Sequence, residues 1–196
     1  MSKVINKTIS DEVLDKTMHV FWEKGYFNTS VDELIEATGF NRRAIYSYFG
    51  SKHDLFLAVL KRYRNEITPQ FTAPLKNTAA GHTAIDDFFA QFADLNKSGM
   101  PKGCFLIATG SDSPSHDIEV AEFIRLFSDD LRALFQKCLS CAVDNQNLPT
   151  TVDIHTVADF LVVNVFGIMA LHRTHAPIET IVNNITMIKH FIHTLK

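Results

Sequence analysis

The chain has 196 residues, of which 46% are hydrophobic and 21% are charged, and its formal net charge at pH 7 is −3. This composition excludes an intrinsically disordered chain and provides for a sizeable buried core. Three cysteines do not form a disulfide framework, the first ten residues lack the apolar segment of a secretory signal, and the longest apolar run, residues 160–171, is too short to cross a bilayer. We therefore expect a cytoplasmic protein with no membrane partner.

The charges are unevenly distributed along the chain. Residues 1–65 carry ten Lys and Arg against eight Asp and Glu, whereas residues 66–196 carry nine against fourteen. A basic front end on an acidic body is common in proteins whose N-terminal part alone meets nucleic-acid phosphates.

The N-terminal quarter is predicted to form four helices. The first is expected to begin after Ser10 and to end at Gly25, since two apolar rows with a spacing of four residues lie between them. Ser30 and Ser51 open capping boxes for a second and a fourth helix, and Asn41 is a suitable N-cap for a short third helix.

The rest of the chain is also predicted to be helical after a break at residues 68–82, which is interpreted as a linker. The scarcity of glycine (8) and proline (6) argues against an all-β protein. The prediction is an all-α fold with a three-helix N-terminal domain in residues 1–50, a connecting helix in 51–66, and a larger helical domain in 67–196. Its further helices are placed at 82–97, about 117–143, 152–172 and from about 177 onward.

Residues 30–49 carry the strongest functional signal. A capped short helix, a glycine-containing turn and a second short helix with a polar, basic outer face form the helix-turn-helix pattern, which places its second helix in the major groove of DNA. Arg42 and Arg43 suit contacts to base edges or phosphates, and Tyr46, Tyr48 and Lys52 suit phosphate contacts. The alternative is an ordinary helical hairpin with solvated arginines.

Three segments, residues 17–26, 29–39 and 41–55, resemble the N-terminal domain of the TetR family of bacterial transcriptional regulators. The most specific part is the run Ile45-Tyr46-x-Tyr48-Phe49-x-Ser51-Lys52. The resemblance implies a helical repressor that a small molecule releases from DNA, and a ligand-binding and dimerisation domain behind the DNA-binding helices. With the two capping residues included, the candidate DNA-binding set is Thr29, Ser30, Gly39, Asn41, Arg42, Arg43, Tyr46, Tyr48 and Lys52.

Two positions depart from the family pattern. Arg43 stands where the family often has a small residue, and His53 stands where it often has an acid. The long cation adds to the reading face, so the operator sequence does not follow from relatives. A dimer would place two copies of the third helix on one face of a duplex, which predicts a palindromic operator.

The last two helices are predicted to form a homodimer interface. Isoleucines recur at steps of four and three residues, which is typical of a helix packed in coiled-coil fashion. The preceding helix is apolar nearly all round and requires cover on both sides, and small residues in it allow a close approach. The predicted interface residues are Gly167, Ala170, Ile181, Ile185, Ile188 and Ile192.

Aromatic residues of the C-terminal helices are candidates to line the inducer cavity that the resemblance implies. Most are expected to be core, and the few charges on inward faces favour an apolar or aromatic ligand. The candidate ligand-binding residues are Phe88, Phe92, Phe105, Phe123, Phe127 and Phe160.

Cys104 is a possible sensor of oxidants or electrophiles. The segment Gly103-Cys104-Phe105-Leu106 resembles one found in a branch of the family with such sensors, and Lys102 and a helix start would lower the thiol pKa. The alternative is a small buried residue. A redox-sensing repressor is therefore one alternative function, and a helical interaction protein without DNA binding is another.

No cofactor or metal is expected. Cys138-x-x-Cys141 lacks a second such pair, and the histidine pairs at 172/175 and 190/193 lack a carboxylate or cysteine to complete a metal site. The sequence also contains no nucleophile elbow, Walker loop, dinucleotide fingerprint or H-E-x-x-H motif, so an enzyme is not predicted.

Overall fold

The computed structural model describes residues 2–97, 102–112 and 117–195. These residues contain helices and turns but no strand, so the predicted all-α class is confirmed. The ten α-helices of the described chain are α1 (Ser2–Lys24), α2 (Val31–Thr38), α3 (Arg42–Phe49), α4 (Lys52–Arg62), α5 (Thr68–Phe71), α6 (His82–Ala90), α7 (Phe105–Asp112), α8 (Ile118–Asp144), α9 (Ile154–Arg173) and α10 (Ile178–Thr194).

The caps predicted in the N-terminal quarter are largely confirmed. The Ser30 hydroxyl accepts a hydrogen bond from the Glu33 backbone, and the Glu33 carboxylate accepts one from the Ser30 backbone at 2.7 Å. Asn41 caps α3 through a bond from the Ala44 backbone to its side-chain oxygen. The predicted start at Ser10 is wrong, because α1 begins at Ser2. Residues 2–9 contain no glycine or proline that would interrupt the helix before Ser10.

Residues 68–82 do not form the linker that the sequence predicts. A π-helical turn, Tyr63–Ile67, carries α4 directly into α5, and short 3₁₀ turns follow at Ala73–Lys76 and Thr78–Ala80. Leu75 lies in the first of these turns and is completely buried. Residues 68–82 are therefore part of the packed body, since their few apolar side chains reach the core. The sequence Gly99-Met100-Pro101 also predicts the end of the helix placed at 82–97, but these three residues lie outside the described ranges.

Packing is thin in the helix-turn-helix region and dense behind it. Ile45 is the one fully buried apolar side chain on α3 and Leu34 is the one on α2, and the partly buried Phe49 and Ile35 add to the packing of these short helices. Behind them, phenylalanines of α6, α8 and neighbouring turns form a tight cluster with mostly edge-to-face rings. One continuous core joins the two regions.

α9 is long and apolar enough to cross a membrane when judged by length and composition alone. In the fold its inner face packs against α8 and α10, with Leu161, Val165 and Ile168 buried. Asp159 of α9 also forms an ion pair with Arg132 of α8. Asn164 of α9 donates to the Phe160 carbonyl at 2.8 Å and accepts from Asn184 of α10 at 3.3 Å.

Candidate DNA-binding surface and ligand cavity

The turn between α2 and α3 depends on Gly39. Its φ of 72° lies in the left-handed region, and its backbone N–H donates to the Ile35 carbonyl as the C-cap of α2. A side chain would strain this conformation, which explains glycine at the position. Only Phe40 and Asn41 separate Gly39 from the first residue of α3, so the start of α3 follows closely on the end of α2.

The two arginines at the start of α3 have different surroundings. Arg42 Nη2 donates to Asp32 Oδ1 of α2 at 2.6 Å, and this bond raises the pKa of the guanidinium. Arg43 is exposed and has no hydrogen bond or ion pair within the described chain. Tyr46 and Tyr48 are also exposed, at 38% and 55% of their surface. These four side chains share the outer surface of α3.

Thr29 and Lys52, by contrast, make internal contacts. Thr29 is 1% exposed, and its hydroxyl donates to the Gly25 carbonyl at 2.7 Å. Lys52 Nζ donates to the Tyr26 carbonyl at 2.6 Å and lies 4.2 Å from the centre of the Tyr26 ring. Burial lowers the pKa of Lys52. Both side chains thus hold the turn between α1 and α2 rather than reaching outward.

Ser30 and Asn41 are exposed, but their side chains are engaged as helix caps. Lys24, the last residue of α1, forms a 2.6 Å ion pair with Glu33 of α2. This bond, together with the bonds from Ser30, lowers the pKa of Glu33 to about 2. Two of the acids on α2, Asp32 and Glu33, are therefore paired with Arg42 and Lys24, whereas the exposed Glu36 and Arg43 have no ion pair among the residues that the structure describes.

An apolar cavity of about 160 Å³ lies behind the helix-turn-helix. Its walls come from α1, the π-helical turn, α5, α7, α8 and α9, so both ends of the chain contribute to it. The lining residues are Trp22, Tyr63, Thr68, Phe71, Leu95, Gly103, Cys104, Ile107, Phe127, Val165, Met169 and His172.

Of the six phenylalanines predicted to bind ligand, the structure places one, Phe127, at this cavity. Phe88 and Phe92 are fully buried in the aromatic cluster, and Phe105 packs between Trp22 and Phe56. The two others are also elsewhere: Phe123 is half-buried against the core, and Phe160 is 39% exposed on the outer side of α9. The apolar period identifies inward residues, but it does not say which of them border an empty space.

Cys104 lines the cavity at the start of α7. The Tyr63 hydroxyl donates to its sulfur at 3.5 Å, and burial raises the thiol pKa above its ordinary value. The helix start expected beside it is present, but Lys102 contacts His175 Nδ1 at 2.9 Å. A thiolate sensor requires a lowered pKa, so these surroundings favour the alternative of a buried structural residue.

Lys102 and Gly103, which precede Cys104, contact the end of α9. Gly103 has a φ of 79°, and a Cβ there would lie 3.0 Å from the Met169 carbonyl oxygen and from the Arg173 side chain. Its N–H donates to His172 Nδ1 at 3.0 Å. Arg173, the last residue of α9, donates to the Lys102 carbonyl and, at 3.2 Å, to the Glu23 carbonyl near the end of α1.

The residues predicted for the dimer interface divide into two groups. Ile181, Ile185, Ile188 and Ile192 are between 0% and 6% exposed, because α10 turns them toward its own chain. Gly167 and Ala170 are exposed on α9, and nothing lies within 4 Å of a Cβ built on Gly167. Phe160, Val163 and Leu171 are exposed on the same side of α9, and together with the exposed Met187 of α10 they are called the outer apolar face.

No group of three His, Cys, Asp or Glu side chains within the described ranges lies close enough to hold a metal ion. Cys138 is buried against the Leu75 carbonyl, and burial raises its pKa to about 11.

Comparison with known proteins identifies the family. Residues 13–59 match the family model for bacterial regulatory proteins of the tetR family, and residues 81–186 match that for the tetracyclin repressor-like C-terminal domain. The chain is 29% identical to the HTH-type transcriptional repressor ComR of Escherichia coli K12 over 171 residues, covering 86% of this chain and 81% of that one. It is 30% identical to the HTH-type transcriptional regulator YezE of Bacillus subtilis 168 over 151 residues, covering 76% and 78%.

Solved structures share the fold. A TetR regulator from Chloroflexus aurantiacus superposes with a TM-score of 0.84 at 21% identity, covering 98% of this chain and 96% of that one. A cysteine mutant of the TetR family regulator CifR, solved with a 26 bp operator DNA, gives a TM-score of 0.82 at 20% identity, covering 92% and 95%. With the exposed basic face of α3, these matches identify the chain as a DNA-binding transcriptional regulator of the TetR family.

Proposed function

We propose that this regulator is a cytoplasmic homodimeric repressor that binds a palindromic operator through α3 and is released by a small, uncharged, largely apolar ligand. The single observation that carries the ligand response is the composition of the cavity wall. Trp22 of α1 and Tyr63 beside α4 face the same space as Met169 of α9. A molecule filling this space would therefore press on helices that support the DNA-binding corner.

The size and chemistry of the cavity define the ligand class. An apolar cavity of about 150 Å³ accommodates one benzene-sized molecule. The titratable groups of the lining are Tyr63, Cys104 and His172, and burial disfavours the charged form of each. A charged ligand would lose its hydration without gaining an opposite charge, so we expect a neutral ligand of about one ring.

The only tryptophan of the sequence, Trp22, provides a direct assay. We expect a neutral single-ring probe such as toluene or benzaldehyde to change its emission and to release DNA in a fluorescence anisotropy titration, whereas benzoate has little effect. Val165→Phe fills the cavity from α9 and is expected to abolish the response while retaining DNA binding. Ala133→Phe, which adds the same ring to the exposed side of α8, is the matched control. If Val165→Phe responds like the control, the cavity is not the ligand site.

The outer apolar face supports the homodimer. Apolar side chains of α9 and α10 that are exposed in a single chain include Val163 at 69% and Met187 at 62%. Contiguous exposed apolar surface is typical of an interaction site, and isologous two-fold pairing is the commonest solution for identical chains. The open space at Gly167 would allow two α9 helices to approach closely.

DNA binding itself is tested by a gel shift on the DNA upstream of the protein's own gene. We expect a dimer to bind a palindrome there with half-sites spaced by whole helical turns. A protein that binds this DNA no better than random DNA of equal length, and that selects no sequence from a random pool, would contradict the proposal.

A further inference from the structure

An acidic side chain, Asp32, lies at the surface that α3 presents to DNA. Its carboxylate is 81% exposed in the first turn of α2, within 2.6 Å of the Arg42 guanidinium. An exposed carboxylate repels phosphates and so weakens nonspecific attraction to DNA. A surface that served only to attract DNA would not need an acid at this point.

The acid restrains one arginine and not its neighbour. Asp32 Oδ1 accepts from Arg42 Nη2 across the turn between α2 and α3. The guanidinium of α3 is thus held by a side chain of α2. Arg43 has no such partner within the described ranges, so its guanidinium is free to adopt the orientation that a phosphate contact requires.

Stability does not account for this arrangement. Ion pairs as exposed as this one, with Arg42 at 53%, contribute little to folding. An acid in the first turn of a helix interacts favourably with the helix dipole, but Glu33 already provides one there and also completes the capping box. What the Asp32 contact does supply is a fixed direction for the guanidinium.

We propose that Asp32 is a positioning residue that makes Arg42 read a base instead of holding a phosphate. A guanidinium has five N–H donors, so a carboxylate on one nitrogen leaves others for the O6 and N7 acceptors of guanine. The same carboxylate offsets the charge that would draw Arg42 to the backbone. This inference rests on the proposed operator binding through α3 and names a guanine in each half-site as the base that is read.

The test is selection from a random-sequence DNA pool with the wild type and with Asp32→Ala, followed by affinity measurements at several salt concentrations. We expect the preference for guanine at one position of each half-site to fall about fivefold or more in Asp32→Ala. Affinity for random DNA should rise, and the slope of log affinity against log salt should steepen by about one, because Arg42 is freed for a phosphate.

Three variants separate orientation from bulk charge. Glu36→Ala removes an equal charge from the exposed side of α2 and should leave the guanine preference unchanged. Asp32→Asn keeps an acceptor oxygen and should retain more of the preference than Asp32→Ala. In an Arg42→Ala background, Asp32→Ala should cause no further loss of preference.

The outcomes are distinct. If Asp32→Ala weakens all sequences equally and lowers the melting temperature, the acid is structural and the inference is overturned. It is also overturned if Asp32→Ala and Glu36→Ala alter selection alike, or if Asp32→Ala enriches the wild-type palindrome to the same degree. A wild type that enriches no sequence at all contradicts the proposed operator binding, and the role of Asp32 with it.

Discussion

The helix-turn-helix corner and the cavity behind it differ in how their function is encoded. On α3 the relevant groups are exposed side chains close together in sequence, anchored by the single buried residue Ile45. The cavity is a space bounded by residues from Trp22 to His172 that meet through packing. A surface formed by one short segment can therefore be predicted from residue types and spacing. The shape of a cavity cannot, because it depends on all the residues that pack around it.

The largest expected effect contrasts two phenylalanines that the sequence did not distinguish. Phe88 is fully buried among aromatic rings, so Phe88→Ala should lower the free energy of unfolding by about 3–5 kcal/mol. Phe160 is partly exposed on the outer apolar face, so Phe160→Ala should change the stability of the isolated chain much less. Urea denaturation of both variants measures the difference. Equal losses would mean that Phe160 is as well packed as Phe88.

The outer apolar face can be tested separately from the core. Val163→Glu would place an unpaired charge in the proposed interface and should weaken dimerisation by about 3 kcal/mol, with each chain still folded. Ile185→Glu should instead lower the free energy of unfolding of the chain itself, because Ile185 is buried within it. Sedimentation together with circular dichroism distinguishes these results. A Val163→Glu dimer as stable as the wild type would place the interface elsewhere.

Arg43 and Lys52 offer a comparison within the DNA-binding corner. If Arg43 reads a base, Arg43→Ala should weaken operator binding by about 1–3 kcal/mol. If Arg43 binds a phosphate instead, Arg43→Ala should reduce the slope of log affinity against log salt by about one. Lys52 is held by Tyr26, so Lys52→Ala should instead lower the free energy of unfolding by about 1 kcal/mol. Salt titrations and thermal unfolding of both variants check this. A lower salt slope in Lys52→Ala, without loss of stability, would show that Lys52 leaves Tyr26 for a phosphate.

The smallest expected effect concerns pH at the cavity loop. Burial, and next the nearby Lys102 and His175, lower the pKa of His172, whose Nδ1 accepts from Gly103. The neutral form is therefore favoured in the fold, and its stabilising effect is complete above the unfolded pKa of about 6.5. That stability should be lost as the pH falls from there through the lowered folded value. Thermal unfolding between about pH 7.5 and 5.5 should show a weaker pH dependence in His172→Gln than in the wild type.

Much of the fold follows from the sequence because its signals are local. The Ser30 capping box, Gly39 and the Asn41 cap each act over three or four residues, and each is found as predicted. The extension of α1 to Ser2 was missed because Ser10 is a good cap in isolation, yet nothing before it breaks the helix. The apparent linker was misread because proline and threonine also start short helical turns that bury an occasional residue such as Leu75.

The candidate site was only partly predictable. The exposure of Arg43 and Tyr48 agrees with their residue types, but the contact of Lys52 with Tyr26 spans 26 positions and leaves no local pattern. The isoleucine seam of α10 correctly indicated a packed helix. Its period, however, does not reveal whether α10 packs against its own chain or against a second copy. The burial of Ile181 and Ile188 shows that they pack against their own chain.

The side chain of Arg173 has a consequence for the architecture of the operator. It joins the end of α9, part of the proposed subunit interface, to the Glu23 carbonyl at the end of α1. In a dimer, the distance between the two α3 helices would depend on how Arg173 holds α1 against α9. The spacing between half-sites would then be specified far from any base, by a residue that never meets DNA.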